Sequence, residues 1–146
     1  MDAYADDATI RKILSEYRTF AVVGCSANPS RASFRVATFL MGHGYRVIPV
    51  NPNECDNQIL KQTCYERLSS IPFAEEVEVV DIFRRSEFAG SHVDEAIELG
   101  AKAVWMQLGV IDQEAAERAA AAGLDVVMDR CPAIEYRRLF GTAKVG

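Results

Sequence analysis

Four arginines stand in turns that follow apolar runs: Arg31 in VVGCSANPSRAS (residues 22–33), Arg84 and Arg85 in VDIFRRSE (80–87), and Arg130 in DVVMDRCP (125–132). They are four of only sixteen Lys and Arg residues in a chain of net charge −5. Like charges gathered on one rim repel unless an anion offsets them. The first of these loops carries Gly24, Ser26, Asn28, Ser30 and Ser33 as well. A single glycine suits a tight strand-to-helix turn, hydroxyls donate to phosphate oxygens, and the amides opening the next helix add partial positive charge. Arginines beside a helix N-terminus are the chemistry of an anion site, with polyphosphate the natural occupant. Solvated loop arginines and a turn-forming Gly24 are the bland alternative.

The same loop argues against a dinucleotide. G-x-G-x-x-G needs a second glycine where Ser26 stands, and an NAD site wants an acid after the second strand, where the chain reads Val50-Asn51-Pro52. Asn51 remains able to hydrogen-bond a nucleoside. The thiols Cys25, Cys55, Cys64 and Cys131 show no C-x-x-C spacing and have only His43 and His92 as companions, so zinc is not supported. Cys131 follows an arginine, a neighbour that favours thiolate, although spacing shows no histidine beside it. The acidic balance disfavours nucleic acid. No apolar run reaches the ~20 residues of a membrane span, and MDAYADDATIRK lacks the order of a signal peptide, so a cytoplasmic protein with free thiols is expected.

The elements that must position these residues follow from periodicity. Five valine-rich runs, Phe20–Gly24, Arg46–Val50, Val77–Phe83, Ala103–Gln107 and Asp125–Met128, have the near-continuous apolarity of parallel strands covered on both faces. Helical patterns lie between them: Thr9–Tyr17, Ser33–His43 with Ser33 as N-cap and Gly44 as a left-handed close, Glu87–Leu99 before Gly100, Gln113–Ala122 capped by Asp112, and Pro132–Phe140. The crossover from Val50 to Val77 is irregular, with room for a helical turn or two near Leu68–Pro72. Residues 1–146 are thus expected to form one α/β domain, a three-layer Rossmann-like fold with a five-stranded parallel sheet in the order 3-2-1-4-5. Ligands of such sheets bind beyond the carboxyl ends of the strands where the order reverses, which that order places between strands one and four.

VVGCSANPSRAS, GYRVIPVNP (44–52), VDIFRRSE, AVWMQLGV (103–110) and GLDVVMDRCPAIEY (123–136) together resemble, in the same order and over almost the whole chain, the small stand-alone CoA-binding proteins of the YccU type. Their domain is similar to the N-terminal CoA-binding domain of the succinyl-CoA synthetase α subunit. The resemblance implies coenzyme A or an acyl-CoA as a bound small-molecule ligand. It puts the pyrophosphate on Gly24, Ser26 and the loop to Arg31, the adenosine near Asn51 and Pro52, and Phe83, Arg84 and Arg85 along the other wall. Gln107 and Trp105 would border the pantetheine arm, with core packing an equal reading for Trp105. Catalysis does not follow, because the larger synthetases need a second domain with a phosphorylated histidine and a nucleotide-activating subunit. Two other readings stand beside a binding module: a thiol-dependent enzyme using Cys131 on CoA or its disulfide, and, ranked last, an NAD(P)-dependent oxidoreductase. Whether the chain forms a homo-oligomer is left open by the residues.

Overall fold

A computed structural model describes residues 4–54 and 57–142; Cys55 lies outside them. The five valine-rich runs form one parallel sheet: β1 (Thr19–Val23), β2 (Arg46–Val50), β5 (Val79–Ile82), β6 (Ala103–Met106) and β7 (Asp125–Val127). A separate antiparallel ribbon pairs β3 (Gln58–Ile59) with β4 (Gln62–Thr63). Helices α1 (Asp7–Glu16), α2 (Ala32–Gly42), α3 (Ser86–Leu99), α4 (Gln113–Ala121) and α5 (Pro132–Phe140) complete the chain. Each lies within two residues of its expected place. Gly44 and Tyr45 close α2 through bonds to the Met41 and Leu40 carbonyls, with Gly44 at φ +96°, as its sequence position suggested.

The expected three-layer arrangement is present. One core packs Ile10, Ile13 and Leu14 of α1, Val36 and Leu40 of α2 and Tyr136 of α5 against Phe20, Val22 and Trp105 of the sheet. The other packs Ala89, Val93 and Ala96 of α3 and three alanines of α4 against Val23, Val80, Ile82 and Met106. The α4 residues in the second core are the small Ala115, Ala116 and Ala119, whereas the aromatic Phe20, Trp105 and Tyr136 belong to the first.

The strand order differs from the expected 3-2-1-4-5. It is β2-β1-β5-β6-β7, so the third long strand inserts beside β1 instead of flanking β2. Two local facts explain this. Pro49 lies within β2 and has no N–H for a ladder bond, which suits an edge strand. All four residues of β5 are buried, as befits a central strand. The crossover also occupies the carboxyl end of the outer edge of β2, where Tyr65 N–H donates to the Pro49 carbonyl and Asn51 N–H to that of Tyr65. It then crosses the α3 face as two single 3₁₀ turns, Leu68–Ser70 and Phe73–Glu75, with Leu68 packed in the core where a crossover helix would lie. The order therefore reverses between β1 and β5, and the candidate crevice moves to that junction.

Candidate ligand-binding site

At the junction β1 and β5 come very close. Gly24 ends β1 at φ +84° and donates its N–H to the Val50 carbonyl at 2.8 Å. A Cβ on Gly24 would lie 2.4 Å from the carbonyl oxygen of Phe83, and Arg84 covers the same turn with its Cδ 3.3 Å from that position. The glycine thus lets the loop after β1 settle on the end of β5. Cys25 follows beneath it, fully buried, with burial pushing its thiol up to about 12 and Cys64, Asp81 and Glu54 adding to the shift.

Beyond Cys25 the loop binds itself. Ser33 Oγ accepts from the Ser26 N–H, Ser26 Oγ from the Asn28 N–H, and Asn28 Oδ1 from both the N–H and hydroxyl of Ser30. Ser33 is therefore not the N-cap of α2. Arg31 holds that position, while Ser33 is buried in the first turn, where it fixes the loop. Ser26 and Ser33 act as acceptors in these bonds and keep their own O–H donors, whereas the Ser30 hydroxyl is spent.

Among the described residues, of the four helices that start at the carboxyl edge only α4 has a side-chain cap, in which Asp112 Oδ1 accepts from the Ala115 N–H. The first turns of α2, α3 and α5 have none. Uncapped first-turn amides carry the positive end of the helix dipole and attract anions. The loops presenting them are fixed to one another. Asn51 Nδ2 donates to the Cys25 carbonyl, Ser86 Oγ accepts from the Ile111 N–H, and Asp129 Oδ1 accepts from the Gly109 N–H at 2.7 Å.

The ten candidate residues are sorted by these contacts. Gly24, Ser26, Arg31, Ser33, Phe83 and Arg84 belong to the two loops meeting at the junction. The Arg31 side chain has no hydrogen bond or ion pair among the described residues, and Arg84 lies over the Phe88 ring at 5.1 Å with no carboxylate partner among them. Arg85 points more fully into solvent, with Glu87 at 3.5 Å. Asn51 uses both side-chain ends to brace the loops, accepting from the Asn53 N–H as well, and Pro52 is exposed in the following turn. Arg130, counted with the rim cations from sequence, instead donates to the Asp129 carbonyl and lies 4.0 Å from Glu135. Trp105 is fully buried and donates to the Arg130 carbonyl, which settles its packing role. His43 stacks on Phe39 at the far end of α2, and His92 bonds Glu95 within α3.

Gln107 reaches a second part of the site. It is only 6% exposed, its Oε1 is buried without a hydrogen-bond partner among the described residues, and it lines a cavity of about 440 Å³ between the starts of α2 and α5. Val36, Phe39, Phe83, Ala133 and Ile134 make apolar walls, and Arg35, Arg137 and Cys131 also line it. Sequence reasoning missed Arg35 and Arg137. Their signal was helical period: each lies four residues beyond a residue at the helix start, Arg31 and Ala133. A larger cavity of about 570 Å³ lies at the amino edge, among Leu68, Phe73, Glu76, Glu78, Glu98 and Lys102, and gathers none of the candidate residues.

Asp81, also missed, is fully buried in the middle of β5 with neither carboxylate oxygen hydrogen-bonded among the described residues, and burial holds its carboxyl well above the usual carboxylate range.

A parallel sheet of this order flanked by helices on both faces defines a Rossmann-like α/β protein, and Arg31 and Arg84 stand at its reversal point without carboxylate partners among the described residues. The chain belongs to the CoA-binding domain family, whose sequence profile matches residues 18–137. It is 34% identical over 124 residues to the uncharacterized protein YneT of Bacillus subtilis, covering 85% of this chain and 89% of that one. A hypothetical protein from Pyrococcus horikoshii has a similar structure, with a TM-score of 0.86, 40% identity and 93% of each chain covered. A Thermus thermophilus protein aligns with a TM-score of 0.85 at 34% identity, covering 92% of this chain and 99% of that one. The family resemblance drawn from the motifs is borne out. No helix among the described residues is long and apolar enough to cross a membrane.

Proposed function

We propose that the protein binds coenzyme A, free or acylated, across the β1–β5 junction and holds it without transforming it. The observation that carries this reading is the convergence at Gly24: a turn with no room for a Cβ, below the uncapped start of α2 and beside Arg84. Membership of the CoA-binding domain family supports the choice of ligand. The pyrophosphate lies on the uncapped first-turn amides of α2 and the hydroxyl donors of Ser26 and Ser33, with Arg31 and Arg84 supplying charge. The adenosine extends along the exposed turn at Pro52. The pantetheine arm, thin and mostly apolar, enters the cavity past Phe83, where Gln107 Oε1 accepts from one of its amide N–H groups. An NAD reading has less support, since β2 ends without an acid and both side-chain ends of Asn51 are already engaged.

Calorimetric titration with CoA, acetyl-CoA, 3′-dephospho-CoA and NAD tests this. Saturable binding of CoA and acetyl-CoA with no heat from NAD is the expected result. Binding of NAD in preference to both CoA species would overturn it.

A further inference from the structure

Resting on the CoA reading above, we propose that Cys131 is a thiol–disulfide exchange site for the pantetheine end of CoA, so that an oxidised CoA is captured as a mixed disulfide and released on reduction. Cys131 is unlike the other described cysteines. Cys25 lies fully buried under the Gly24 turn, and Cys64 is buried with its sulfur near the Asn51 and Tyr65 carbonyls. Cys131 is buried too, at 7% exposure, but it is the N-cap residue of α5 and lines the 440 Å³ cavity.

The cavity itself points to a ligand of a particular shape. Gln107, 6% exposed, lines it, and its buried Oε1 has no hydrogen-bond partner among the described residues, a cost of about 1–3 kcal/mol that an N–H donor reaching it would remove. The walls beside it are apolar, and the charged lining residues are both cations, Arg35 and Arg137. Pantetheine offers amide N–H groups on a slender apolar arm that ends in a thiol. Cys131 stands at the uncapped first turn of α5, and Arg35 and Arg137 line the same cavity.

The exchange needs only the disulfide of CoA as oxidant. The Cys131 thiol gives its proton to solvent and its sulfur attacks one sulfur of the disulfide. The CoA S–S bond breaks as the Cys131–CoA bond forms, and the second CoA leaves as a thiolate that takes up a proton. Two equivalents of a small thiol release the CoA: the first attacks the mixed disulfide and ends in a disulfide as its partner sulfur leaves as a thiol, and the second breaks that new disulfide, so that free Cys131, free CoA and the disulfide of the small thiol remain.

The test is intact-mass and peptide-mass analysis of the full chain after incubation with CoA disulfide, alongside glutathione disulfide, in wild type, Cys131→Ser and Cys131→Ala. One CoA adduct per chain is expected, mapped to Cys131, formed at least about tenfold faster than the glutathione adduct, slowed by excess acetyl-CoA, removed by dithiothreitol and absent from both variants. An adduct that persists in the variants overturns the inference. So does equal reactivity toward glutathione disulfide with no competition by acetyl-CoA. Absence of an adduct in wild type that still binds reduced CoA by calorimetry sinks this inference alone. Absence of both binding and adduct removes the CoA reading with it.

Discussion

Replacing Gly24 with alanine adds one methyl group, and the structure dictates where that group must go. At φ +84° the new Cβ falls 2.4 Å from the Phe83 carbonyl oxygen, whereas ordinary contact begins near 3.4 Å. The ends of β1 and β5 must therefore part by about 1 Å, because the obstructing atom is backbone and has no rotamer with which to yield. A left-handed backbone costs a residue other than glycine about 1–2 kcal/mol. Forcing extra volume into a packed junction costs about 1–3 kcal/mol more. Together these are about 3 kcal/mol, and for a chain of this size that lowers the Tm by about 6–12 °C. The displaced segment also leads into the Ser26–Ser33 loop that fixes the first turn of α2 and packs against Arg84, so CoA affinity falls by at least tenfold, or about 1.4 kcal/mol. Thermal unfolding with and without CoA, paired with calorimetry, reads both effects. A Gly24→Ala protein that melts within about 1 °C of wild type and binds CoA normally would refute the reasoning.

Arg31→Ala and Arg84→Ala are each expected to weaken CoA binding more than tenfold, about 1.4 kcal/mol, because charge-assisted bonds to phosphate are among the stronger hydrogen bonds. Arg130→Ala, which removes a guanidinium engaged with Asp129 and Glu135, affects affinity much less; calorimetry that ranks Arg130 first would reverse the assignment. Asp81 gives a pH signature. Its folded carboxyl holds its proton well above the ordinary value of 3.8, so its contribution is fully present below that pH and is lost as pH rises toward the folded value. The stability of Asp81→Asn relative to wild type therefore grows from pH 4 upward, as read from urea midpoints, and a difference that stays flat with pH would contradict a protonated Asp81.

Much of the fold was legible because valine runs, helical periods and Gly or Asp at helix ends are local signals. The five strands, five helices, the Asp112 cap and the Gly44 close depend on little else. The strand order was less accessible, since a crossover without a helix carries no periodicity to track. Pro49 was the available clue that β2 is an edge strand. The β3–β4 ribbon turns through Leu60 and Lys61, both at positive φ, with none of the Gly or Asn that usually marks such a turn. At the site, sequence found the right loops but not how their polar atoms are divided. Asn51 and Ser33 look like ligand donors by type, and only the folded loop reveals how much of their hydrogen-bonding capacity goes to holding the backbone. Arg130 likewise shares its loop with a carboxylate that sequence distance did not weigh. Gln107 was expected on the wall of the site. Its unpaired oxygen arises from burial by α2 and α5, which are remote from it in the chain.

The uneven capping of the helices has a consequence for how this chain can change. Serine, aspartate or asparagine at position 31, 85 or 131 would supply the missing helix cap, an improvement usually worth about 1 kcal/mol to the empty protein. Yet the residues now present are two arginines and a cysteine. On the proposed function an added carboxylate would stand where phosphate or thiolate charge must sit. Selection for robustness and selection for occupancy therefore pull in opposite directions at these three positions. A stabilised variant obtained by blind screening would be expected to collect its gains there and to emerge hardier but empty-handed.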